Sequence, residues 1–294
     1  MAVRDIRQST AWSHYLTRYG WVTHTLPGGG LVRLAKLPVV SIAKLHRPPQ
    51  LTAADLVELE RLRKEHHVAV VKASPAAEQD LAVFAQFGYS QRGSIDLPPR
   101  TVVINLQQDE ATLWQGLTKD CRYSITRSRT AADHIELTQA PSPEVVAQYY
   151  QVVNARSKRV GFYTPPLADH MEKIRQFGKE AYIGTVYSQA GVVLGSKLFL
   201  GYAGCVWYMY SGLTGPGAQS LGNYQLMWEC IRRFKQLGYS TLDMEGLADD
   251  RLRRQTKNWR NYTDYKLQFG GTVVTFPLPY TKYATIFELL NLRN

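Results

Sequence analysis

Asp243 and Glu245 stand two apart in Asp243-Met-Glu-Gly246, within a segment that reads as a strand, so both carboxylates face one side. Such a pair can take up a proton from a substrate or neutralise nearby arginines, and residue type does not choose between the two. Just beyond, Arg251, Arg253, Arg254, Lys257 and Arg260 place five cations in ten residues beside Trp259. That pattern suits cations pairing phosphates and a base stacking on the indole, with a solvated basic loop as the plainer account. Lys119, Arg122, Thr126 and Arg129 recur at spacings of three, four and three, apart from the apolar stripe Leu113, Leu117, Cys121 and Ile125. Little acid is interleaved, which favours an anion-binding face over a merely solvated one. Tyr208 and Tyr210 alternate with Met209, so one strand face carries both rings, either in the core or stacked on a sugar or base.

Several chemistries are excluded. Gly28-Gly29-Gly30 precedes neither a lysine nor a helix and reads as a hairpin tip. No nucleophile elbow, P-loop or dinucleotide fingerprint occurs. The three cysteines, Cys121, Cys205 and Cys230, are scattered in apolar stretches without CxxC spacing, and the seven histidines form no HExxH pattern, so neither a disulfide framework nor a metal is expected. Gln219-Ser-Leu-Gly222-Asn-Tyr224, after a strand and opening a helix, nearly fits the pyrophosphate loop of acyl-CoA N-acetyltransferases. In that loop small residues let a phosphate reach backbone N–H groups. Tyr224 stands where a small residue is needed, so the fold position is expected without the coenzyme A grip, and no cofactor is expected.

These residues need a scaffold. The chain has 294 residues, 45% hydrophobic and 11% aromatic, which excludes disorder and fibrous repeats. No apolar run approaches the roughly 20 residues of a membrane helix, and Met1 to Thr10 has no signal-like apolar core, so a cytoplasmic location is expected. The net charge of +11, from 35 Lys+Arg against 24 Asp+Glu, favours anionic partners such as nucleic acid, phosphorylated metabolites or an acidic membrane face. Strand-like and helix-like segments alternate. Leu31 to Lys44 reads as paired strands bent at Pro38, Thr52 to His66 as a helix opened by a capping box, His67 to Ala73 and Thr101 to Leu106 as strands. Glu78 to Phe87 and one long helix after Asp109 lie between them. Gln139 to Pro143 reads as a linker, followed by a helix from Pro143 to Gly161. Strands at Ala181 to Ser188, Val192 to Leu200 and Cys205 to Gly212 come next, then a helix from Ser220 to Gln236. Thr241 to Met244, Tyr265 to Phe269 and Thr272 to Phe276 read as strands, and Tyr283 opens a short terminal helix. This is an α/β chain in two blocks, 1–140 and 141–294.

The ordered landmarks resemble the Fem-type peptidoglycan aminoacyltransferases. They are Gln8-Ser9-Thr10-Ala11-Trp12 with Tyr19-Gly20-Trp21, His46-Arg47-Pro48-Pro49, Trp114 through Arg127, Arg156 to Phe162, Tyr208-Met-Tyr210-Ser-Gly, Tyr224 to Glu229, Asp243-Met-Glu-Gly246 and Tyr265-Lys266 to Gly270. Together they span almost the whole chain. Pro48 departs from the family's Arg-Gly-Pro turn, and Leu16 stands near the place of a substrate lysine in the family.

The resemblance implies two acetyltransferase-like (GNAT) domains side by side, without a coiled-coil arm, and a substrate groove between them. It implies transfer of an amino acid from aminoacyl-tRNA to a UDP-linked or lipid-linked muropeptide, by a monomer that can touch the inner membrane face. Lys266 matches the lysine that supports transfer. Arg159 matches a side chain holding the precursor's diphosphate, and Arg47, Arg122, Tyr210 and Tyr224 fall in segments expected to bind substrate. The reaction is aminolysis of an activated ester, so the protein must orient two substrates and stabilise an oxyanion, a role suited to Lys266, while Asp243 and Glu245 could receive the amine proton. Two alternatives stay open: an N-acyltransferase using acyl-CoA or another donor, and a non-catalytic module binding RNA or muropeptide.

Overall fold

The computed structural model describes residues 4–37, 40–91, 94–130 and 134–285, excluding the side chains of 129 and 130. The strands are β1 Trp21–Thr25, β2 Leu31–Lys36, β3 Ser41–His46, β4 Val68–Ser74, β5 Ser90–Gln91, β6 Arg100–Asn105, β7 His134–Gln139, β8 Ala181–Tyr187, β9 Val193–Tyr202, β10 Cys205–Leu213, β11 Thr241–Asp243, β12 Thr272–Thr275 and β13 Tyr280–Tyr283. The helices are α1 Thr10–Thr17, α2 Ala53–Glu65, α3 Ala82–Gln86, α4 Glu110–Gly116, α5 Lys119–Thr130, α6 Pro143–Val160, α7 Leu167–Phe177, α8 Gly215–Gln219, α9 Gly222–Gln236, α10 Arg253–Thr256 and α11 Arg260–Leu267. One sheet runs β1-β2-β3-β4-β13-β5 and the other β12-β6-β11-β10-β9-β8-β7.

The chain divides into two compact units, but not at residue 140. The first comprises Met1–Arg100, Asp249–Gln255 and Val274–Asn294, and the second Thr101–Ala248 with Thr256–Val273. The reason is strand pairing. β6 lies antiparallel to β11, with Val103 opposite Asp243, and β7 lies along β8, so residues 101 to 139 complete the second sheet rather than the first. The last strand, β13, returns to pair with β4 in the first sheet.

In the first unit, α2 opens with a reciprocal capping box between Thr52 and Asp55 and buries Leu56, Leu59 and Leu62 against Val32, Leu45 and Val71 of the sheet. The opening segment is pinned by its own polar side chains. Asp5 caps the turn Ile6–Gln8, Ser9 caps α1, and the Gln8 side chain accepts from Leu31 N (2.7 Å) while donating to His46 O (2.8 Å). In the second unit, β9 and β10 form the centre of a core built around Phe199, Trp228 and Phe234. A Cβ on Gly212 would lie 2.6 Å from Val152 O, so a glycine is needed for α6 to approach β10 this closely.

Other expectations are also corrected. The helix after Asp109 is two helices, because Leu117 takes an extended backbone (ψ 146°) between them; Leu113, Leu117, Cys121 and Ile125 are nevertheless all buried. The helix expected over Glu78 to Phe87 shrinks to α3, and α7 was not anticipated. Tyr265 to Phe269 is not a strand, since α11 ends at Leu267 and a turn follows. Tyr262, Tyr265, Lys266 and Phe269 follow the i, i+3, i+4, i+7 spacing of a helix face, and that periodicity wins over the short alternation. Tyr283 closes β13; the terminal helix expected after it, like Pro38 and the Arg129 side chain, lies outside the described residues.

Candidate active site

The second unit gathers its chemistry where β10 and β11 part. The two strands run parallel from Cys205 opposite Thr241 to Trp207 opposite Asp243. There β11 ends, whereas β10 continues to Leu213 with a bulge between Tyr208 and Tyr210. The Asp243 carboxylate holds the turn after β11: it accepts from Glu245 N at 2.7 Å and from the Thr101 hydroxyl. Glu245 takes a left-handed backbone (φ 53°), a conformation unusual for a residue with a side chain. The expected alternation therefore breaks, and Asp243 and Glu245 do not continue one strand face.

The turn instead presents backbone oxygens. Lys266, on α11, donates from Nζ to Glu245 O at 2.6 Å and Gly246 O at 2.9 Å. Its ammonium also lies 5.6 Å from the Tyr208 ring centre and 5.4 Å from that of Tyr262. The residue is only 8% exposed. Burial pulls its pKa down to about 8; Glu245 and Asp243 oppose that fall, and the Lys197 charge adds to it.

Lys197 was missed in the sequence. It sits in the middle of β9, is 1% exposed, and donates to the Asn223 side-chain oxygen at 2.5 Å and the Tyr208 hydroxyl at 3.2 Å. Its ammonium lies over the Tyr208 and Tyr265 rings, at 5.1 and 5.2 Å. Burial brings its pKa down to about 7. The signal was available: in Val193-Leu-Gly-Ser-Lys197-Leu-Phe-Leu, one cation interrupts a run that is otherwise apolar or small. Two buried lysines thus share the Tyr208 ring, one near neutrality and the other still protonated at pH 7. A cation in so dry a setting can stabilise developing negative charge far better than it could in water.

The remaining residues divide. Tyr224 is half-buried and packs its ring edge-on to Tyr265 (5.2 Å) and stacked on Phe269 (6.1 Å), bordering the same cluster. Tyr210 turns elsewhere: past the bulge its ring meets His170 at 4.8 Å and its hydroxyl accepts from Lys173 at 3.4 Å, so it keeps different company from Tyr208. Arg159 is exposed at the end of α6 and reaches Leu213 O at 3.4 Å. Arg122 caps α4, donating to Gln115 O at 3.0 Å and to Leu117 O, which accounts for its place on the cationic stripe.

Arg47 belongs to the first unit and is buried, donating to Asp5 (3.1 Å) and Pro98 O beneath the Phe276 ring; packing, rather than an open substrate contact, explains it. The basic tract is a succession of short helical turns rather than a loop. Arg251 pairs with Asp249 at 2.6 Å and Arg253 with Asp250 at 3.2 Å. Arg254, Lys257 and Arg260 are exposed, and Trp259 is half-buried. Among the described residues no group of His, Cys, Asp and Glu could hold a metal, and no helix is long and apolar enough to cross a membrane.

Two mixed sheets, one to each compact unit, with β10 and β11 parting in the second, make a tandem GNAT-like fold. The fold is shared with FemX (TM-score 0.81, 13% identity, covering 98% of this chain and 94% of that one). It is shared with the C-terminal domain of a proposed lysylphosphatidylglycerol synthetase from Agrobacterium fabrum (TM-score 0.68, 12% identity, 98% and 92% covered). A tandem GNAT protein from the clavulanic acid biosynthesis pathway is more distant (TM-score 0.51, 14% identity, 87% and 79% covered). No protein-family model matches the sequence, and no curated protein matches it.

Proposed function

We propose that this chain is an aminoacyltransferase that moves an amino acid from aminoacyl-tRNA to the stem peptide of a peptidoglycan precursor in the cytoplasm. The observation that carries the reading is Lys266: the position that the resemblance assigns to transfer holds a buried ammonium, fixed by two carbonyls beside the parting strands. In the reaction the acceptor amine attacks the ester carbonyl, forming a C–N bond. The C–O bond to the tRNA 3′ end then breaks, the leaving hydroxyl takes a proton and the amine gives one up. Lys266 stabilises the intermediate oxyanion. Asp243 and Glu245 shape the turn that aims Lys266, and Tyr224 borders the aromatic wall beside it. Arg254, Lys257 and Arg260 are the exposed cations offered to tRNA phosphates.

The likeness to the Agrobacterium fabrum domain favours a second acceptor class, the headgroup of phosphatidylglycerol. Purified protein incubated with charged tRNA pools and either a UDP- or lipid-linked muropeptide, or phosphatidylglycerol vesicles, separates the readings by product mass. A muropeptide heavier by one amino-acid residue is expected. An aminoacylated lipid favours the second acceptor, and acetylation of simple amines from acetyl-CoA would replace both readings.

A further inference from the structure

The polar face of the first sheet carries a row of cations. Thr23, Arg33, Lys44 and Lys72 stand directly opposite one another across β1, β2, β3 and β4. Like charges directly opposite destabilise a sheet unless something neutralises them. Among the described residues two carboxylates serve this region, and each is already shared. Asp96 takes Lys44 at 3.2 Å and Lys72 at 3.8 Å, and Asp5 takes Arg7 at 3.2 Å and Arg47 at 3.1 Å. Arg33 is the fifth cation, and the carboxylate whose charge reaches it is Asp5, already shared by Arg7 and Arg47.

Arg33 is also the most enclosed of the five, with none of its surface exposed. Its Nη2 donates to Arg7 O and, at 3.2 Å, to the Ser13 hydroxyl, both neutral oxygens. Its Nε and Nη1 meet no acceptor, and the buried Thr23 hydroxyl opposite it is likewise unpartnered. Two guanidinium donors and one hydroxyl donor therefore border the same enclosed face. A buried guanidinium whose one nearby carboxylate is divided among three cations, and whose donors are not all met, is costly to keep charged, and a water molecule would accept hydrogen bonds without supplying charge.

We propose that Arg33 binds a small monovalent anion of the halide class, physiologically chloride, through Nε and Nη1 with Thr23 as a further donor. Complete enclosure argues against a phosphate, whose four oxygens would need more donors than this face supplies. The anion neutralises the fifth cation and ties the opening segment, through Arg7 and Ser13, to β2.

Two measurements test this on the whole chain. Crystals grown in bromide should show an anomalous peak within hydrogen-bond reach of Arg33 Nε and Nη1. Wild-type stability should rise with chloride but not with gluconate at equal ionic strength, the folding constant growing about tenfold per tenfold chloride above its dissociation constant. Arg33→Met should abolish that difference and Thr23→Val should weaken it. Equal melting in chloride and gluconate, bromide at surface sites only, or a chloride response that survives Arg33→Met would overturn the proposal. If Arg33→Met does not fold, the two wild-type measurements decide alone.

Discussion

Replacing Lys197 by methionine should make the protein more stable at pH 6 and less stable at pH 10. The folded-state pKa of Lys197 is about 7 against an ordinary 10.5. Below pH 7 the lysine is charged in both states, and the folded protein bears the full burial penalty. Between pH 7 and 10.5 only the unfolded chain holds the proton, so wild-type stability climbs at about 1.36 kcal/mol per pH unit from this group. The whole effect is on the order of 5 kcal/mol. Methionine escapes the penalty but removes one donor from the buried Tyr208 hydroxyl, which keeps its hydrogen bond to Ser211, and one from the half-buried Asn223 oxygen, together costing about 1–3 kcal/mol. Loss of the amine from an otherwise similar stem adds less than about 1.5 kcal/mol. The variant should lead by roughly 1–3 kcal/mol at pH 6 and trail by a similar amount at pH 10, with the curves crossing between pH 7 and 9. The assay is urea unfolding at each pH, followed by fluorescence of Trp207 and Trp228, both buried in the second unit. Wild-type and variant curves that run parallel across this range would refute a Lys197 that loses its proton on folding.

Lys266→Met should lower single-turnover transfer from charged tRNA about a hundredfold to a thousandfold with the fold intact by circular dichroism; transfer within threefold of wild type would remove Lys266 from the mechanism. Because burial holds the Lys266 pKa at about 8, its charge is present below that value and lost above it, so wild-type transfer should fall as pH rises through about 8. A rate that stays flat to pH 10 would count against a protonated Lys266. Acetyl-CoA should bind poorly, since Tyr224 stands at the sequence position where the acyl-CoA loop needs a small residue to bring a pyrophosphate to backbone N–H groups, and micromolar binding by calorimetry would overturn this. Replacing Arg254, Lys257 and Arg260 by alanine should weaken tRNA binding and flatten its salt slope by about one for each lost phosphate contact; an unchanged slope would make the tract an ordinary solvated surface.

What could be read from sequence followed local rules. The capping box at Thr52, proline at the start of α6, its left-handed Gly161 and the apolar runs of β8, β9 and β10 are each set within a few residues and were recognised. The unit boundary was not, because β6 pairs with β11 some 140 positions away and nothing near Thr101 announces it. The segment around Lys266 was misread because Tyr265, Leu267 and Phe269 alternate over five residues, while the helical stripe that decides the matter begins earlier, at Tyr262.

The candidate site shows the same division more sharply. Lys266 was found as a position but placed on a strand rather than on α11. Its chemistry comes from burial beside Glu245 O and Gly246 O, and so from a left-handed turn that no motif encodes. Lys197 had the clearer local signal, a cation inside an apolar strand, yet no spacing rule joins it to Lys266. Tyr208 does so in three dimensions, because β10 brings one ring beneath both ammonium groups. Each lysine raises the cost of charging the other in that dry setting, and their different partners separate them. Lys197 has two neutral oxygens and loses its proton near pH 7, while Lys266 has two carbonyls and nearby carboxylates and keeps its own to about 8. Between those values the site holds one free amine and one cation, an asymmetry that arises from the turn after β11 rather than from either lysine alone.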